Sequence, residues 1–436
     1  MDKLHIIGGT PLHGSIIVGG AKNAALPLMC ASLLTSERLL LDNVPYLADI
    51  TTLAKLLTQH GAAMHIEDSG TGDLFAESRE SGNYSRRLSL HAQEIKSIVA
   101  PYDLVRTMRA SVLVLGPLLA REGKAKVSLP GGCAIGTRPI DMHLFAMECL
   151  GATITLEDGY VIAKAPAGGL KGATIPFDKV SVGATENALM AATLATGTTV
   201  IENAACEPEI TDLAECLQKM GAKISGVGTH TLTIEGVSSL GGAEHRIIPD
   251  RIETGTYLCA VGLAGGELSI KHARPDALTN VVEIVQQIGV RIRVEGTTIH
   301  ASHVGGPLMP KTLTTEPHPG FPTDMQAQLM TLLTQAQGES QITETIFENR
   351  FMHVPELTRM GAKISVDGRT ATIHGPTNLT GAPVMATDLR ASVSLVIAAL
   401  AAEGESTINR IYHLDRGYER LEEKLSACGA QISRIR

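Results

Sequence analysis

Apolar and polar positions along the chain repeat one pattern six times. Each copy has an apolar stripe at helical spacing, then a glycine break, then a stretch in which apolar and polar residues alternate as in a half-buried strand. LLTQHGAAMHIE, AMECLGATITLE and ELTRMGAKISVDG are three of the copies. A glycine here suits a helix end in the left-handed conformation. The six glycines are Gly61, Gly151, Gly221, Gly289, Gly361 and Gly429.

A second helix, rich in Ala and Leu, precedes each of these runs. KNAALPLMCASLL and LRASVSLVIAALAA are examples, and a glycine-marked turn with a short strand follows each one. Each repeat therefore predicts the order β-α-β-α-β-β over about 70 residues, which indicates internal duplication. Three repeats per half predict two similar α/β domains. We place the first at residues 22–247 and the second at residues 248–436 together with residues 1–21.

The first spacing between glycines is 90 residues, whereas the others are 68 to 72. The excess lies in residues 68–88, DSGTGDLFAESRESGNYSRRL, which are polar and rich in Gly and Ser. Such a composition predicts an inserted surface loop, with a functional lid as the alternative.

Composition narrows the possible partners. The net charge of −8 argues against nucleic acids and anionic membranes as partners. Apolar runs such as 391–402 are shorter than the about 20 residues that a bilayer span needs. No signal peptide is visible in MDKLHIIGGT, and seven cysteines without a CxxC pair predict reduced thiols. We therefore expect a cytoplasmic protein.

Aligning the repeats on their glycines gathers charged residues at two positions. At the first turn of the long helix stand Lys22 with Asn23, Arg109, Glu186, Glu253, Asp324 and Arg390. In the loop before the second helix stand Cys133 with Arg138, Glu207, Arg350 and Arg416. Helix N-termini favour anions, so two such faces across a cleft predict a pocket for a small, multiply charged anion, closed by domain movement. The alternative is a set of solvated surface charges. We expect Asp388 and Asp415 to orient the neighbouring Arg390 and Arg416.

Cys133 and Asp324 are candidates for proton transfer. Cys133 follows a Pro-Gly-Gly turn and precedes Arg138 in SLPGGCAIGTRPIDMHL, a setting that moves a thiol pKa toward neutrality. Asp324 is equivalent in the repeat to Lys22 and Arg109, and a single carboxylate among cations is where a general base would sit. An unreactive thiol and a simple helix-capping Asp remain the alternatives.

The motifs resemble one family over almost the whole chain. GGAKNAALPL, SLPGGCAIGTRPIDMHL, DKVSVGAT, FPTDMQAQ, VMATDLRAS and YHLDRGYERLEEKL are similar to the UDP-N-acetylglucosamine 1-carboxyvinyltransferases of the EPSP synthase superfamily. The PGGC loop separates them from the 5-enolpyruvylshikimate-3-phosphate synthases. The resemblance implies two inside-out α/β barrel domains of three repeats each. It also implies the first committed step of peptidoglycan precursor synthesis, in the cytoplasm, by a protein that we expect to be a monomer without metal or cofactor.

The resemblance also implies the site residues. Phosphoenolpyruvate would be bound by Lys22, Asn23, Arg138, Arg390 and Arg416. UDP-N-acetylglucosamine would be bound by Asn23, Arg109, Arg138, Pro139, Ile140, Asp141, Met142, Lys179, Val180, Ser181, Val182, Asp324 and Ile346. Asp324 would take the proton of the sugar 3-hydroxyl as it attacks C2 of phosphoenolpyruvate. Cys133 would deliver a proton to C3, could form a covalent adduct, and would be the target of fosfomycin. Arg350 would help to shape the closed site.

Two other functions stay open. The acceptor could differ, shikimate 3-phosphate being the nearest case, or the chain could be a non-enzymatic scaffold that binds an anion. The scaffold hypothesis predicts that Cys133→Ala changes nothing.

Overall fold

The computed structural model describes residues 2–67, 86–129 and 140–436. Its strands are β1 (Lys3–Ile7), β2 (Leu12–Ile17), β3 (Arg38–Val44), β4 (Ala63–Glu67), β5 (Arg86–His91), β6 (Val99–Ala100), β7 (Lys124–Ser128), β8 (Thr153–Glu157), β9 (Tyr160–Lys164), β10 (Thr174–Pro176), β11 (Thr198–Glu202), β12 (Lys223–Ser225), β13 (Thr231–Glu235), β14 (Ala243–Arg246), β15 (Gly266–Lys271), β16 (Arg291–Glu295), β17 (Thr298–His303), β18 (Thr312–Thr314), β19 (Gly338–Thr343), β20 (Lys363–Asp367), β21 (Thr370–Gly375), β22 (Pro383–Met385), β23 (Glu405–Asn409) and β24 (Gln431–Ile435).

The α-helices are α1 (Lys22–Ala31), α2 (Ala48–His60), α3 (Tyr102–Val105), α4 (Leu115–Glu122), α5 (Asp141–Cys149), α6 (Val182–Ala192), α7 (Pro208–Lys219), α8 (Arg251–Ala264), α9 (Thr279–Ile288), α10 (Gln326–Leu333), α11 (Val354–Arg359), α12 (Ala391–Ala401) and α13 (Leu421–Ser426). Short 3₁₀ helices cover Ser32–Leu34, Arg109–Val114, Pro275–Leu278, Thr323–Met325 and Ile411–Arg416. None of the helices in the described part of the chain has the length and apolar character to cross a membrane.

The strands form six separate four-stranded sheets, one for each repeat. In the third repeat, for example, β10 and β11 are parallel, β13 is antiparallel to β11, and β12 lies at the edge. Four of the six sheets have this chain order of first, second, fourth and third strand, and in the other two a strand from elsewhere in the chain, β14 or β1, takes the first or the fourth place. The predicted β-α-β-α-β-β repeat is therefore confirmed.

Three sheets take a strand from a distant part of the chain. β14, which follows the third repeat, pairs with β3 of the first. The two N-terminal strands join late repeats: β2 pairs with β15, and β1 lies between β23 and β24. The N-terminal strand pair thus completes the sheets of the fourth and sixth repeats.

The six glycines that revealed the repeat all have positive φ, between 90° and 126°. At Gly61 the Gly61 N–H donates to Thr58 O and the Ala62 N–H donates to Leu57 O, each at 3.0 Å. These bonds satisfy carbonyls that a helix end leaves open. The left-handed conformation predicted at these glycines is therefore confirmed.

Buried apolar residues form two separate cores. One draws its residues from positions 21–248, and the other from positions 4–18 and 252–432. Two crossing segments connect them: Ala21 N–H donates to Ile248 O at 2.7 Å, and Asp250 N–H donates to Gly19 O at 2.9 Å. A Cβ atom on Gly20 would overlap the carbonyl oxygen of Asn43, so this crossing requires glycine. Helices α1 and α8 begin directly after the two segments.

Part of the predicted inserted loop is a strand in the structure. Residues 86–88 belong to β5 rather than to a loop, and Leu88 is only 3% exposed. Arg86 Nη2 donates to Pro45 O at 2.9 Å, which ties the strand to the segment before α2. Residues 68–85 lie outside the described residues.

Candidate active site

Asp324 lies where charges from both ends of the chain meet. It belongs to the 3₁₀ turn Thr323–Met325 that leads into α10. Oδ1 accepts a hydrogen bond from Arg350 Nη2 at 2.6 Å, and Oδ2 accepts from Arg390 Nε at 3.4 Å. Asn23 Nδ2, at the start of α1, donates to the same Oδ2 at 3.4 Å. Residues that are up to 301 positions apart in the sequence thus meet at one carboxylate.

The charges around Asp324 fix its protonation state. Burial alone would raise its pKa, but Arg350 and Arg390 together outweigh burial and hold the pKa far below its usual range. The side chain remains 24% exposed. Asp324 is therefore ionised and open to a ligand, but it is a weak base as long as both arginines bind it. An anion that competes for these arginines would raise its basicity.

A second carboxylate, Asp49, joins two predicted site residues. Lys22 Nζ donates to Asp49 Oδ2 at 3.2 Å, and Arg416 Nε donates to Asp49 Oδ1 at 2.8 Å. Burial lowers the pKa of Lys22 against the attraction of Asp49, and Arg390 and Arg416 lower it further. Burial would raise the pKa of Asp49, but Lys22 and Arg416 lower it overall. The buried Lys22 and Asp49 and the partly exposed Arg416 form a charge cluster next to Asp324.

Sequence reasoning missed Asp49. It lies in the first turn of α2, which is the repeat position where Arg416 stands before α13. No cation stands at this position of the first repeat, and the acid was therefore not among the predicted site residues. Without an acid between them, Lys22 and Arg416 would repel each other at close range. From this repulsion a nearby carboxylate could have been inferred.

Arg390 is held from several sides. Its Nη2 pairs with Asp250 Oδ2 at 3.4 Å, its Nη1 donates to Gly417 O at 3.2 Å, and its guanidinium lies 5.4 Å from the Tyr418 ring centroid. Asp388 accepts from the backbone N–H of Arg390 at 2.8 Å, so it fixes the backbone at the start of α12. The expected role of Asp415 was wrong, because Asp415 pairs with Arg434 at 2.6 Å while Arg416 pairs with Asp49.

The Ile346 loop is linked to the same carboxylate. Glu344 Oε1 accepts from the backbone N–H of Ile346 at 2.8 Å, and Glu344 Oε2 accepts from Thr323 Oγ1 at 2.8 Å. Arg350 Nη1 donates to that Thr323 hydroxyl, also at 2.8 Å. The half-buried Ile346 is thereby positioned relative to Asp324.

A second group of predicted residues lies around the N-termini of α5 and α6. Ile140 directly precedes α5, and Asp141 and Met142 are the first two residues of that helix. Ser181 caps α6, where its hydroxyl accepts a hydrogen bond from Ala184 N at 3.4 Å. Lys179 is exposed and Val180 half-buried just before this cap, and Val182 begins α6. Arg109 starts the 3₁₀ helix Arg109–Val114.

His143 connects these elements. Its Nδ1 lies 3.0 Å from Asn187 Nδ2 of α6, and Asn187 Oδ1 accepts from Gly116 N at 2.7 Å. Burial, together with the charge of Arg109, lowers the pKa of His143 to about 4. A Cβ atom on Gly183 would lie 3.2 Å from the His143 ring. His143 is therefore neutral at pH 7 and packs α5 against the start of α6.

Near its start, α6 of the third repeat carries a carboxyl rather than a cation. Glu186 is buried, and burial together with Glu209 and Glu207 raises its pKa well above the usual value. Glu209 itself is paired with Arg251 at 3.0 Å. Cys133, Arg138 and Pro139 lie outside the described residues. Within the described residues, no cluster of three His, Cys, Asp or Glu side chains could hold a metal ion.

The sequence profile of the EPSP synthase (3-phosphoshikimate 1-carboxyvinyltransferase) family matches residues 6–425. The chain belongs to this family. Among its relatives is a UDP-N-acetylglucosamine 1-carboxyvinyltransferase from Rhodopseudomonas palustris strain TIE-1, which is 61% identical over 438 residues and covers 100% of both chains. The protein of that name from Paramagnetospirillum magneticum is 58% identical, with 100% of this chain and 99% of the relative covered.

Solved structures of the family agree with the fold. The enolpyruvyl transferase NikO from Streptomyces tendae superposes with a TM-score of 0.87 at 28% identity, over 100% of this chain and 99% of that one. EPSP synthase from Acinetobacter baumannii superposes with a TM-score of 0.72 at 18% identity, over 100% of both chains, and this likeness concerns the fold alone. The predicted enolpyruvyl transferase fold is therefore confirmed.

Proposed function

We propose that the enzyme transfers the enolpyruvyl group of phosphoenolpyruvate to the 3-hydroxyl of UDP-N-acetylglucosamine and releases phosphate. This is the first committed step of peptidoglycan precursor synthesis. One observation carries the proposal: a single open carboxylate, Asp324, is surrounded by Asn23, Arg350 and Arg390, with Lys22 and Arg416 beside them. The relatives at about 60% identity bear the name of this activity.

The cation cluster suits phosphoenolpyruvate. Phosphate and carboxylate groups both favour the planar fork of arginine and the point charge of lysine. Lys22, Arg390 and Arg416, joined by Arg138, would bind these two groups, and Asn23 would contact both substrates. Cations aimed at the departing phosphate also stabilise the charge that develops in the transition state.

The proton steps fall to Asp324 and Cys133. When the anionic substrate takes over contacts of Arg350 and Arg390, Asp324 becomes basic enough to accept the proton of the sugar 3-hydroxyl. The oxygen forms a bond to C2 while Cys133 donates a proton to C3, which gives a tetrahedral intermediate. Collapse of this intermediate breaks the C2–O bond to phosphate and restores the double bond, as C3 loses one proton.

The nucleotide sugar would lie along the helix N-termini of the first three repeats. Arg109, the run from Arg138 to Met142 and the run from Lys179 to Val182 supply cations and free helical N–H groups, which suit a diphosphate. Ile346 and Asp324 would contact the sugar from the last three repeats. Residues 22–247 form the first domain in this proposal, and residues 1–21 with 248–436 form the second. The two separate cores support that division.

The enzyme would act in the cytoplasm, where both substrates are made, as a monomer without cofactor or metal. Its reaction is tested by phosphate release from phosphoenolpyruvate, with UDP-N-acetylglucosamine or shikimate 3-phosphate as the acceptor. We expect release with the nucleotide sugar alone. Release with shikimate 3-phosphate alone would mean a different acceptor, and release with neither from a folded sample would favour the anion-binding scaffold.

The role of Cys133 is tested by Cys133→Ala, which we expect to abolish or severely slow turnover while the fold stays intact. Cys206→Ala is the matched control, because Cys206 is a half-buried thiol just before the start of α7. Fosfomycin should label Cys133, with the thiol sulfur opening the epoxide and the ring oxygen taking up the proton. A label on another cysteine, or full activity of Cys133→Ala, would refute this part of the proposal.

A further inference from the structure

An open cavity of about 400 Å³ lies on the last three repeats and shares no residue with the candidate active site. The side chains that matter most for its chemistry are Lys3, Glu356, Arg359, Met385, Asn409 and Arg410. Three of these are cations and one is an acid. The cavity is thus a concentration of positive charge on a chain whose net charge is −8.

The three cations have no visible structural task. Within residues 2–67, 86–129 and 140–436, neither an ion pair nor a side-chain hydrogen bond involves Lys3, Arg359 or Arg410. The only acid in the cavity, Glu356, accepts a hydrogen bond from the backbone N–H of Met385 at 3.0 Å. Like charges that line one cavity repel each other, and an anion bound between them would offset that repulsion.

The walls are built from regular structure rather than from loops. Met385 ends β22 and lies opposite Asn409, the last residue of the parallel strand β23. Asn409 Nδ2 donates to Val384 O at 3.1 Å, which holds the two strand ends together. β1 runs antiparallel to β23, with Leu4 opposite Ile408, so Lys3 stands at the same edge. Three strand ends therefore form the floor, and the end of α11 contributes Arg359.

Arg410 has an unusual backbone at this place. Its φ is 60° and its ψ is 38°, in the left-handed region that side chains other than Gly, Asn and Asp seldom adopt. The chain turns here directly after β23, so the residue that accepts this conformation is an arginine lining the cavity. Arg410 thus lines the cavity with a guanidinium directly after the strand end.

We propose that this cavity binds a small molecule that carries at least two phosphate or carboxylate groups. Arginine forks bind both groups in bidentate geometry, and Lys3 adds a third positive charge. The exposed side chain of Met385 offers an apolar contact for the carbon skeleton of such a ligand. Several lining residues are close in sequence to Arg350, Arg390 or Arg416. None of these three arginines lines the cavity, so the proposed ligand site is separate from the candidate active site.

Isothermal titration calorimetry of the full chain with citrate and with inorganic pyrophosphate tests the proposal. Citrate represents polycarboxylates and pyrophosphate represents phosphates, so their relative affinities tell which source of anion the cavity prefers. Low ionic strength, about 50 mM, limits screening of the exposed cations. We expect binding of at least one probe at one site per chain, with phosphoenolpyruvate failing to displace it. This measurement needs no turnover, so it is independent of the proposed function.

Variants locate the binding. Arg359→Gln and Arg410→Asn should each weaken binding about tenfold or more, since each removes a charge-assisted contact. Asparagine is chosen at residue 410 because it tolerates the left-handed backbone. Arg291→Gln is the matched control, an exposed arginine on β16 of the same half that should leave binding unchanged. Arg359→Gln alone is sufficient if Arg410→Asn fails to fold.

Three outcomes would overturn the proposal. One is an absence of binding by both probes. Another is binding that Arg359→Gln leaves unchanged. The third is displacement of the probes by phosphoenolpyruvate, which would assign the binding to the cation cluster around Asp324.

Discussion

Asp324 and Glu186 stand at equivalent points of two repeats, near the start of a long central helix, yet their surroundings hold them in opposite protonation states. Arg350 and Arg390 lower the pKa of Asp324 against the effect of burial. Burial raises the pKa of Glu186, and its charged neighbours Glu209 and Glu207 raise it further. A shared position in the repeat therefore does not determine the charge of a carboxyl.

The contrast separates two tasks. An ionised, partly exposed carboxylate among arginines can accept a proton once a substrate weakens those contacts. A buried carboxyl next to other acids keeps its proton and is neutral. The repeat gives the two carboxyls equivalent positions, and their different neighbours determine their protonation states.

The largest effect is expected from Asp324→Asn, which removes the proposed base. Loss of a general base typically costs about 10²–10⁴-fold in rate, so kcat for phosphate release should fall by that factor. Glu186→Gln is the matched control, with the same change at the equivalent repeat position, and should keep kcat within about twofold of wild type if Glu186 has no chemical role. Equal losses of kcat in both variants would mean that the two carboxyls do not differ in their chemical role.

The next effect concerns the other carboxylate among cations. Asp49→Asn leaves the buried Lys22 and the partly exposed Arg416 without their acid. The Lys22–Asp49 pair is buried, and breaking a buried ion pair costs about 3–5 kcal/mol. The free energy of unfolding in urea should fall by that amount. Removing a cation as well, in Asp49→Asn with Arg416→Gln, should restore part of the stability. A loss of unfolding free energy below about 1 kcal/mol would mean that the ion pairs of Asp49 stabilise the protein no more than exposed ion pairs do.

A third effect appears as a pH dependence. The folded-state pKa of Glu186 is raised, so its stabilising contribution is complete below the unfolded pKa and is lost as pH rises through the folded value. Glu186→Gln should therefore gain stability relative to wild type from pH 5 to pH 8, by at most about 1.4 kcal/mol per pH unit.

Asp324 does not contribute to that slope. Its folded-state pKa is lowered, so its contribution is constant above the unfolded pKa and is lost only in more acidic solution. Unfolding of the wild type and of Glu186→Gln in urea, measured at several pH values from 5 to 8, separates the two carboxyls. A pH-independent difference between these proteins would mean that Glu186 is ionised in the folded state.

The smallest effect is expected at the cap of α6. Ser181→Ala removes the side-chain acceptor for Ala184 N, a bond of 3.4 Å, and should lower stability by about 0.5–1 kcal/mol. Ser181→Asp, which keeps an acceptor there, should lose less. If Ser181 also contacts the nucleotide sugar, the affinity for UDP-N-acetylglucosamine falls in Ser181→Ala beyond what the loss of stability explains.

Much of the fold was predictable because its signals are local. The glycines at helix ends, the alternating strands and the apolar helices each depend on neighbours a few residues away, and the structure confirms the order of elements. The predicted inserted loop wrongly included residues 86–88, because the polar Arg86 and Arg87 suggested a loop although they begin β5. Polarity alone does not distinguish a half-exposed strand from a loop.

The candidate site was predictable only in part. The repeat alignment found Lys22, Asp324, Arg390 and Arg416 because each is one charge at a recurring position. It missed Asp49 and misassigned Asp415, because the choice between two acids depends on which one approaches an arginine across the chain. Arg416 bonds to Asp49, 367 residues away, rather than to its sequence neighbour.

The sequence by itself determined the six repeats, their secondary structure and the set of charged residues at the helix starts, since helix capping, strand alternation and glycine turns are encoded within a few residues. Tertiary structure alone decided which charges meet, which carboxyl stays ionised and which keeps its proton. Electrostatic energies depend on distance and burial, and both are fixed only when Asn23 at one end of the chain and Arg390 at the other reach the same carboxylate.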